Sequence, residues 1–550
     1  MPLPLSPMIL LAIGGLLLVI GPWVRDSRWC VAAWLAGWSY AAYLLATSGF
    51  VPMDWAARMA LRSVWAADEL AVAGQGLALA FGLLFGVGSL GMISGNGTST
   101  ERLGFLSFLV GGVMLVAAAN DAISLALSLE IVQFASHALR RRGLVNQPYS
   151  VPQNIHVEKS SSCETCLWLG IVASLCVWLG IALGAGVTAS TQFDEIRMVL
   201  AQAYSPGPGR VAIGAGSKLG LLAIGLVVTG LSCRIGLIPW QIVLVETVRG
   251  CGYWTSGCVL IGGQLAGVMA LARLGGTVWI GFTSELIVLL LVLSGATFVV
   301  AGAFAARGLA VGEGTLRRWL TAFVMLHGAW LLVGVIAAAA DLAVPENSLA
   351  AATGQPGAIS ILIFSSGASL FGLSGLFLLL NHLSRGGRDV EYLDELLGLG
   401  QLAPVTAVSL LIVLASLIGH PPLWGFWGQW LLLVAGFNVR ATAGASNVLP
   451  NHGVIALLLV GTLSTLLMAA VVIRFARVMV LEDPVSRALP QGSRASLGVG
   501  LFVAMVLAAL GLFPSRLLVP LSDLPIVRPV VPQELPAGKG AGTATASREE

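Results

Sequence analysis

The sequence predicts an all-α protein that crosses a membrane many times. Three observations carry this. The 550 residues are 57% hydrophobic and only 10% charged, whereas soluble domains carry about 25% charged residues, and the mean hydropathy is +0.91. Apolar runs close to the length of a bilayer-spanning helix, about 20 residues, recur along nearly the whole chain. Two of these runs are interrupted by proline and glycine next to ionisable or amide side chains, which is the pattern of broken helices in membrane proteins that handle ions.

The apolar runs lie near residues 8–22, 30–50, 70–95, 104–119, 122–139, 165–188 and 211–233. They continue near 255–275, 279–305, 318–340, 357–381, 404–437, 453–480 and 495–514. That makes roughly fourteen spans. The first has no basic residue before it and no clean cleavage site, so it reads as a retained helix and not a signal peptide. A polar loop is expected over 143–162 and a charged one over 385–401. The end of the chain, 515–550, is rich in Pro, Gly, Ala and Ser and reads as a disordered tail without a long amphipathic helix. The resulting division is N-terminal spanning helices in 1–104, a core in 105–480, a last spanning helix in 481–514, and the tail.

Charge distribution gives orientation. Arg25, Arg28, Arg102, Arg140, Arg141, Arg142, Lys159, Arg307, Arg317, Arg318, Arg385, Arg388, Arg474, Arg477, Arg487 and Arg494 fall on one set of alternate loops, while the other set holds fewer basic residues, such as Arg58, Arg62, Arg197, Arg210, Arg273 and Arg440. The positive-inside rule then puts both termini on the non-cytoplasmic side. The net charge of +3 carries no message about nucleic acid. Of the seven cysteines, Cys163 and Cys166 form a lone C-x-x-C, and without a second pair or a histidine this spacing reads as small membrane-helix residues and not as a metal or redox site. The chain contains no haem, flavin, nucleotide or Walker motif, so redox chemistry is not expected within it.

Ionisable residues inside spans are costly and are functional candidates by default. Glu130 stands mid-helix in the run from Asn120 to Phe134. Burial favours its neutral form and a neighbouring cation its charged form, so it is poised to take up and release a proton. Arg234, just before the Pro239 break, is the natural partner; it stays protonated and can tune Glu130 but cannot relay a proton. Lys218 lies earlier in the same segment and could titrate if buried, although its flanking Gly and Ser suit a side chain reaching for the interface. His327 lies mid-span and His420 at the second break, and each reads equally as a proton shuttle or as a hydrogen-bonded core histidine. Gln264 and Gln429 can order water but cannot change charge. His137, His382 and His452 lie near span ends and are expected to be solvated.

The two breaks are Arg234-Ile235-Gly236-Leu237-Ile238-Pro239-Trp240-Gln241 and Ser416-Leu417-Ile418-Gly419-His420-Pro421-Pro422-Leu423-Trp424-Gly425-Phe426-Trp427-Gly428-Gln429-Trp430. Proline removes a backbone donor and clashes with the preceding turn. A matched pair of such breaks points to two inverted five-helix repeats, each with a broken helix.

These segments together resemble the antiporter-like membrane subunits of respiratory complex I, the N subunit of NADH-quinone oxidoreductase above all. Asn120-Asp121 through Leu129-Glu130 resembles that family's N-D-L-L-x-L-x-L-x-L-E helix, Arg234 to Gln241 its K-L-x-x-x-P-F-H, and Val245 to Gly252 faintly its P-D-V-Y-x-G-A-P. Arg317 to Trp330 is similar to K-R-L-L-A-Y-S-S-I-A-H-A-G-Y, with His327 on the histidine, and Ser416 to Trp430 is similar to S-L-A-G-I-P-P-T-A-G-F-I-G-K-F. The motifs are collinear over about residues 105–480 and each is degraded.

The resemblance implies a proton path through a glutamate–lysine pair, a central lysine and a lysine at the second break. These fall on Glu130 with Arg234, on Gln264 and on Gln429, and the histidine of P-F-H falls on Gln241. Three of the four positions cannot exchange a proton, so pumping through this chain is expected to be weak or absent. The resemblance also implies a bacterial inner-membrane location and other complex I membrane subunits as partners. Quinone, FMN and iron–sulfur clusters are expected in other subunits, with no cofactor or metal in this chain. The rival readings are a subunit of a multi-subunit cation/proton antiporter and a non-conducting paralogue kept for assembly.

Overall fold

The computed structural model describes residues 5–20, 27–47, 64–66, 68–90, 98–145, 153–204, 214–279, 283–310, 316–343, 357–384, 389–443, 451–484 and 492–522. Among them there is no strand, only two isolated backbone bridges, Trp65 with Ala119 and Asp121 with Gln192. The helices are α1 (Leu5–Ile20), α2 (Ser27–Thr47), α3 (Glu69–Ser89), α4 (Thr98–Ala118), α5 (Ala122–Val145), α6 (Gln153–Thr188), α7 (Phe193–Tyr204), α8 (Gly214–Ile235) and α9 (Gln241–Gly250). They continue as α10 (Tyr253–Arg273), α11 (Thr283–Ala310), α12 (Leu316–Ala343), α13 (Ala358–His382), α14 (Pro404–Leu417), α15 (Trp424–Ala443), α16 (Asn451–Val480), α17 (Arg494–Leu512) and α18 (Ser515–Ser522). Among the described residues twelve helices are long and apolar enough to cross a membrane, and α1 and α14 are shorter apolar helices.

Local chemistry sets several boundaries. Asp68 caps α3 by accepting from Ala71 N at 2.9 Å, and Asp121 caps α5 by accepting from Ile123 N and Ser124 N at 2.9 and 3.1 Å, as short acidic side chains do at helix starts. The run 404–437, expected to be one span interrupted by the second break, is two helices, α14 and α15, on either side of it. The loop expected over 143–162 is shorter, because α5 continues to Val145 and α6 begins at Gln153. The charged stretch 385–401 contains a 3-10 turn at Leu393–Leu396, and its first residues, 385–388, lie outside the described residues. The expected tail contains helix α18 before position 523, and residues 523–550 lie outside the described residues.

The two breaks are built alike. Gly236 and Gly419 both take a left-handed φ, 82° and 71°, and a cis X-Pro bond follows each at the same offset, Ile238–Pro239 and Pro421–Pro422. Leu237 N donates to Ser232 O at 2.9 Å and His420 N to Ala415 O at 2.9 Å. Each bond satisfies a carbonyl of the last turn, as in a glycine-ended Schellman cap. Trp240 N then donates to Leu237 O, and Leu423 N to His420 O, at the same relative positions. The breaks are 183 positions apart by every one of these equivalences.

Between the broken helices stand α10 and α12, which are buried along almost their whole length. Helices that are apolar on every side belong inside a bundle. Small residues let backbones close up in membrane bundles: a Cβ on Gly263 of α10 would lie 3.0 Å from Arg234 O, and one on Gly328 of α12 would lie 2.8 Å from Gln264 Nε2. The first break, Gln264 and His327 are thereby brought to neighbouring positions.

Candidate functional site

Arg234 occupies the last turn of α8, where the helix C-terminus favours a cation. Its Nη2 lies 3.7 Å from Glu130 Oε1 on α5. Nη1 donates to Gln133 Oε1 and Nη2 to Ser174 Oγ, both at 3.2 Å. Arg234 is almost wholly buried, 4% accessible, whereas the Glu130 side chain is 37% accessible on this chain alone. The sequence-expected pair therefore meets, and its carboxylate reaches the edge of the bundle. Gln133, one helical turn after Glu130, shares its face; that spacing was the signal for it. Nothing in the sequence marks Ser174.

Gln264, in the middle of α10, is 3% accessible, and its amide donates to Val324 O on α12 at 3.1 Å. His327 is buried beside it, with Nδ1 3.0 Å from Phe323 O. A carbonyl only accepts, so Nδ1 carries the proton and Nε2 is the atom free to exchange one. At the second break Gln429 donates to Leu417 O at 2.9 Å, which satisfies a carbonyl at the end of α14. Its side chain lies where a Cβ on Gly419 would sit. His420, Pro421 and Pro422 are exposed on the chain's surface, as is Pro239. Lys218 is exposed near the start of α8, apart from the pair at that helix's other end.

Some residues behave differently from their sequence reading. His382, expected to be solvated, is buried with Nδ1 3.1 Å from Ser493 O, because α17 packs over the end of α13. Arg273, read as a loop cation, is 2% accessible and makes a two-pronged ion pair with Asp68, with a further bond to Ala117 O. Arg317, also read as a loop charge, donates to Val248 O and Arg249 O at 2.6 Å. It lies 3.7 and 3.4 Å from Asp389 and Glu391 and covers the Tyr253 ring. It thus joins the end of α9, the starts of α10 and α12, and the segment leading to α14. All seven cysteines are free thiols, and among the described residues no group of three His, Cys, Asp or Glu is placed to hold a metal.

Chemically, the arrangement offers one protonatable carboxylate held by a fixed guanidinium, and a buried imidazole. Two amides at the centre and at the second break order hydrogen bonds without changing charge.

Comparison with known proteins bears on the family and the fold. The family described as NADH:quinone oxidoreductase/Mrp antiporter, TM, matches residues 119–450. The chain is 24% identical over 517 residues to NADH-quinone oxidoreductase subunit N 2 of Rhizobium meliloti, covering 89% of this chain and 93% of that one. It is 25% identical over 523 residues to NADH-quinone oxidoreductase subunit N of Paramagnetospirillum magneticum, covering 92% and 93%. Among solved structures, a chain of respiratory complex I from Thermus thermophilus superposes with a TM-score of 0.68 at 20% identity, covering 94% of this chain and 99% of that one. A chain of the Mrp complex from Dietzia sp. DQ12-45-1b gives 0.67 at 17% identity, covering 94% of this chain and 52% of that one.

Proposed function

Because the chain belongs to the NADH:quinone oxidoreductase/Mrp antiporter transmembrane family, we propose that it is a membrane subunit of a complex I-like NADH-quinone oxidoreductase that contributes to proton translocation coupled to quinone reduction elsewhere in the assembly. The observation that carries this is the Glu130–Arg234 contact at 3.7 Å beside the first helix break. On this reading Glu130 is the group that takes up and releases the proton, and Arg234 is the fixed cation beside it. His327 is the next titratable group inward, and Gln264 and Gln429 hold water where no side chain changes charge. The near-full mutual coverage with subunit N relatives favours this reading over a cation/proton antiporter subunit. Quinone, flavin and iron–sulfur clusters belong on this reading to other subunits.

The partly accessible Glu130 supports a neighbouring membrane subunit on that face, since a carboxylate left in lipid is costly. The matched breaks support two repeats within a core over 105–480. The basic-residue distribution supports a bacterial inner-membrane orientation with both termini on the non-cytoplasmic side.

A second reading, a scaffold without conduction, is favoured by Gln264 and Gln429, each of which spends an amide donor on a backbone carbonyl. The two readings separate in vesicles containing the purified assembly, with NADH-driven proton flux compared between the native chain and Glu130→Gln. A large loss of flux with quinone reduction retained supports the conducting role. Unchanged flux with intact assembly overturns it in favour of the scaffold.

A further inference from the structure

A crevice of about 610 Å³ lies at the ends of α5, α6 and α8 that point away from Arg140, Arg141 and Arg142, and no proton-path residue lines it. Leu125 of α5, Ile181 of α6, Phe193 and Ile196 of α7 and Ile224 of α8 form its walls. The volume falls in the range of about 300–1,000 Å³ that ligand pockets occupy. Gly184 of α6 also lines it, and a Cβ built there meets no atom within 4 Å. That glycine therefore faces open space, whereas Gly180, one turn earlier, is in close contact with Val227 and Ala223.

The chemistry of the lining selects hydrocarbon. Thr188 Oγ1 is held by Gly184 O and Ser190 O, at 2.9 and 3.1 Å. The Ser190 hydroxyl donates to Glu195 and accepts from Gln192 N at 3.1 Å. Both lining hydroxyls are thus engaged, and an apolar cavity of this kind stays dry. The crevice opens between helices long and apolar enough to span a membrane, where acyl chains and not water are the solvent. Leu179 and Leu222, next in sequence to the lining residues Gly180 and Ala223, are exposed and extend the apolar surface outward. The rim is basic. The amphipathic helix α7 has the character of a helix lying in a membrane interface. On a 3.6-residue turn Arg197 flanks its Phe193–Ile196 face, and Asp194 and Glu195 lie further round. Lys218 is exposed at the start of α8, two residues before the lining Gly220 and on the side of Leu222. Neither Arg197 nor Lys218 has a side-chain hydrogen bond or ion pair among the described residues.

We propose that this crevice holds one acyl chain of an anionic phospholipid, with the second chain along Leu179 and Leu222 and the phosphate held by Arg197 and Lys218. The free cations decide between hydrocarbon sources: a quinone also carries an apolar tail, but its head group is neutral and leaves both charges uncompensated. The basic rim likewise favours a charged headgroup, since cationic side chains at a membrane surface attract anionic lipid. The site is separate from the Glu130–Arg234 pair, so it stands whether or not the chain conducts.

The test uses the full chain in its membrane assembly, in vesicles containing phosphatidylglycerol with a photoactivatable diazirine on one acyl chain, or phosphatidylcholine with the same chain. Labelled residues are mapped by mass spectrometry after illumination, with the exposed Leu463 and Leu466 of α16 as the reference surface. Phosphatidylglycerol is expected to label the crevice severalfold more than phosphatidylcholine does, while α16 takes both alike. Gly184→Leu, whose side chain enters open space, is expected to remove the crevice labelling and leave α16 unchanged. Arg197→Gln combined with Lys218→Gln is expected to abolish the preference for phosphatidylglycerol, and it serves if Gly184→Leu does not assemble. An unlabelled crevice beside a labelled α16 overturns the proposal, because the space is then closed or filled by a neighbouring subunit. Crevice labelling that survives Gly184→Leu, or equal labelling by the two lipids in the native chain, overturns it as well. Loss of labelling on adding an equimolar isoprenoid quinone assigns the space to a quinone tail and also overturns it.

Discussion

Gln429 and Gly419 are interlocked across the second helix break. The Gln429 amide donates to Leu417 O at 2.9 Å, and its side chain occupies the space that a Cβ on Gly419 would need. Gly419 has φ 71°, a left-handed conformation that costs an L-residue about 1–2 kcal/mol. Backbone geometry and side-chain packing therefore both require glycine there.

Gly419→Ala is accordingly expected to destabilise the subunit by more than the left-handed cost of about 1–2 kcal/mol, since Gln429 must also be displaced. Thermal unfolding of the purified assembly measures it. A midpoint unchanged from the native protein would show that the break relaxes freely.

The Asp68–Arg273 pair ties the start of α3 to the end of α10. Removing one partner of a buried pair leaves an uncompensated charge, at about 3–5 kcal/mol, whereas replacing the pair by apolar groups is often nearly neutral. Asp68→Ala is therefore expected to reduce stability and membrane-inserted yield strongly, and Asp68→Ala with Arg273→Met to recover much of the loss. Equal losses in the single and double variants would show that the pair is not what anchors α10.

The difference between what was legible in the sequence and what was not lies in the kind of signal. Pro and Gly announce the two breaks because they act on the backbone where they stand. Glu130 and Arg234 are conspicuous because an apolar run makes any charge visible, and the same holds for Gln264. Arg273 and Arg317 sit at helix ends, where a basic residue is ordinary, and their partners lie far away in the chain, Asp68 at 205 residues and Val248 at 69. No periodicity encodes such a pairing. His382 escaped for the same reason: the Ser493 carbonyl that covers it lies 111 residues on. Within 404–437 the expected break takes the form of a Schellman cap at Gly419 that ends α14 outright.

Gln264 is the next position to test. Its bond to Val324 O uses one of its two amide hydrogens and leaves one for water. Gln264→Leu is expected to cost about 0.5–1.5 kcal/mol, the net worth of one hydrogen bond, because Val324 O lies within α12 and keeps its helical environment. Proton flux is expected to fall toward the level of Glu130→Gln. Native flux in a stable Gln264→Leu assembly would remove the centre of α10 from the path.

The last position separates a path limited by missing charge from a path that does not exist. Gln429 is only partly buried and faces the carbonyl of Leu417. A lysine there would find a ready acceptor, and its long stem lets the ammonium reach a more polar level. The introduced charge is therefore tolerable at this site, and unlike an amide it titrates. If the first half of the chain already delivers protons to Glu130, a titratable group at the second break supplies the charge change that Gln429 cannot. Gln429→Lys is then expected to raise NADH-driven proton flux above the native level in vesicles, and to lose that gain when combined with Glu130→Gln. Unchanged flux in Gln429→Lys, with normal assembly and quinone reduction, would mean that restoring charge at the second break does not extend a path from Glu130, and would count for the scaffold.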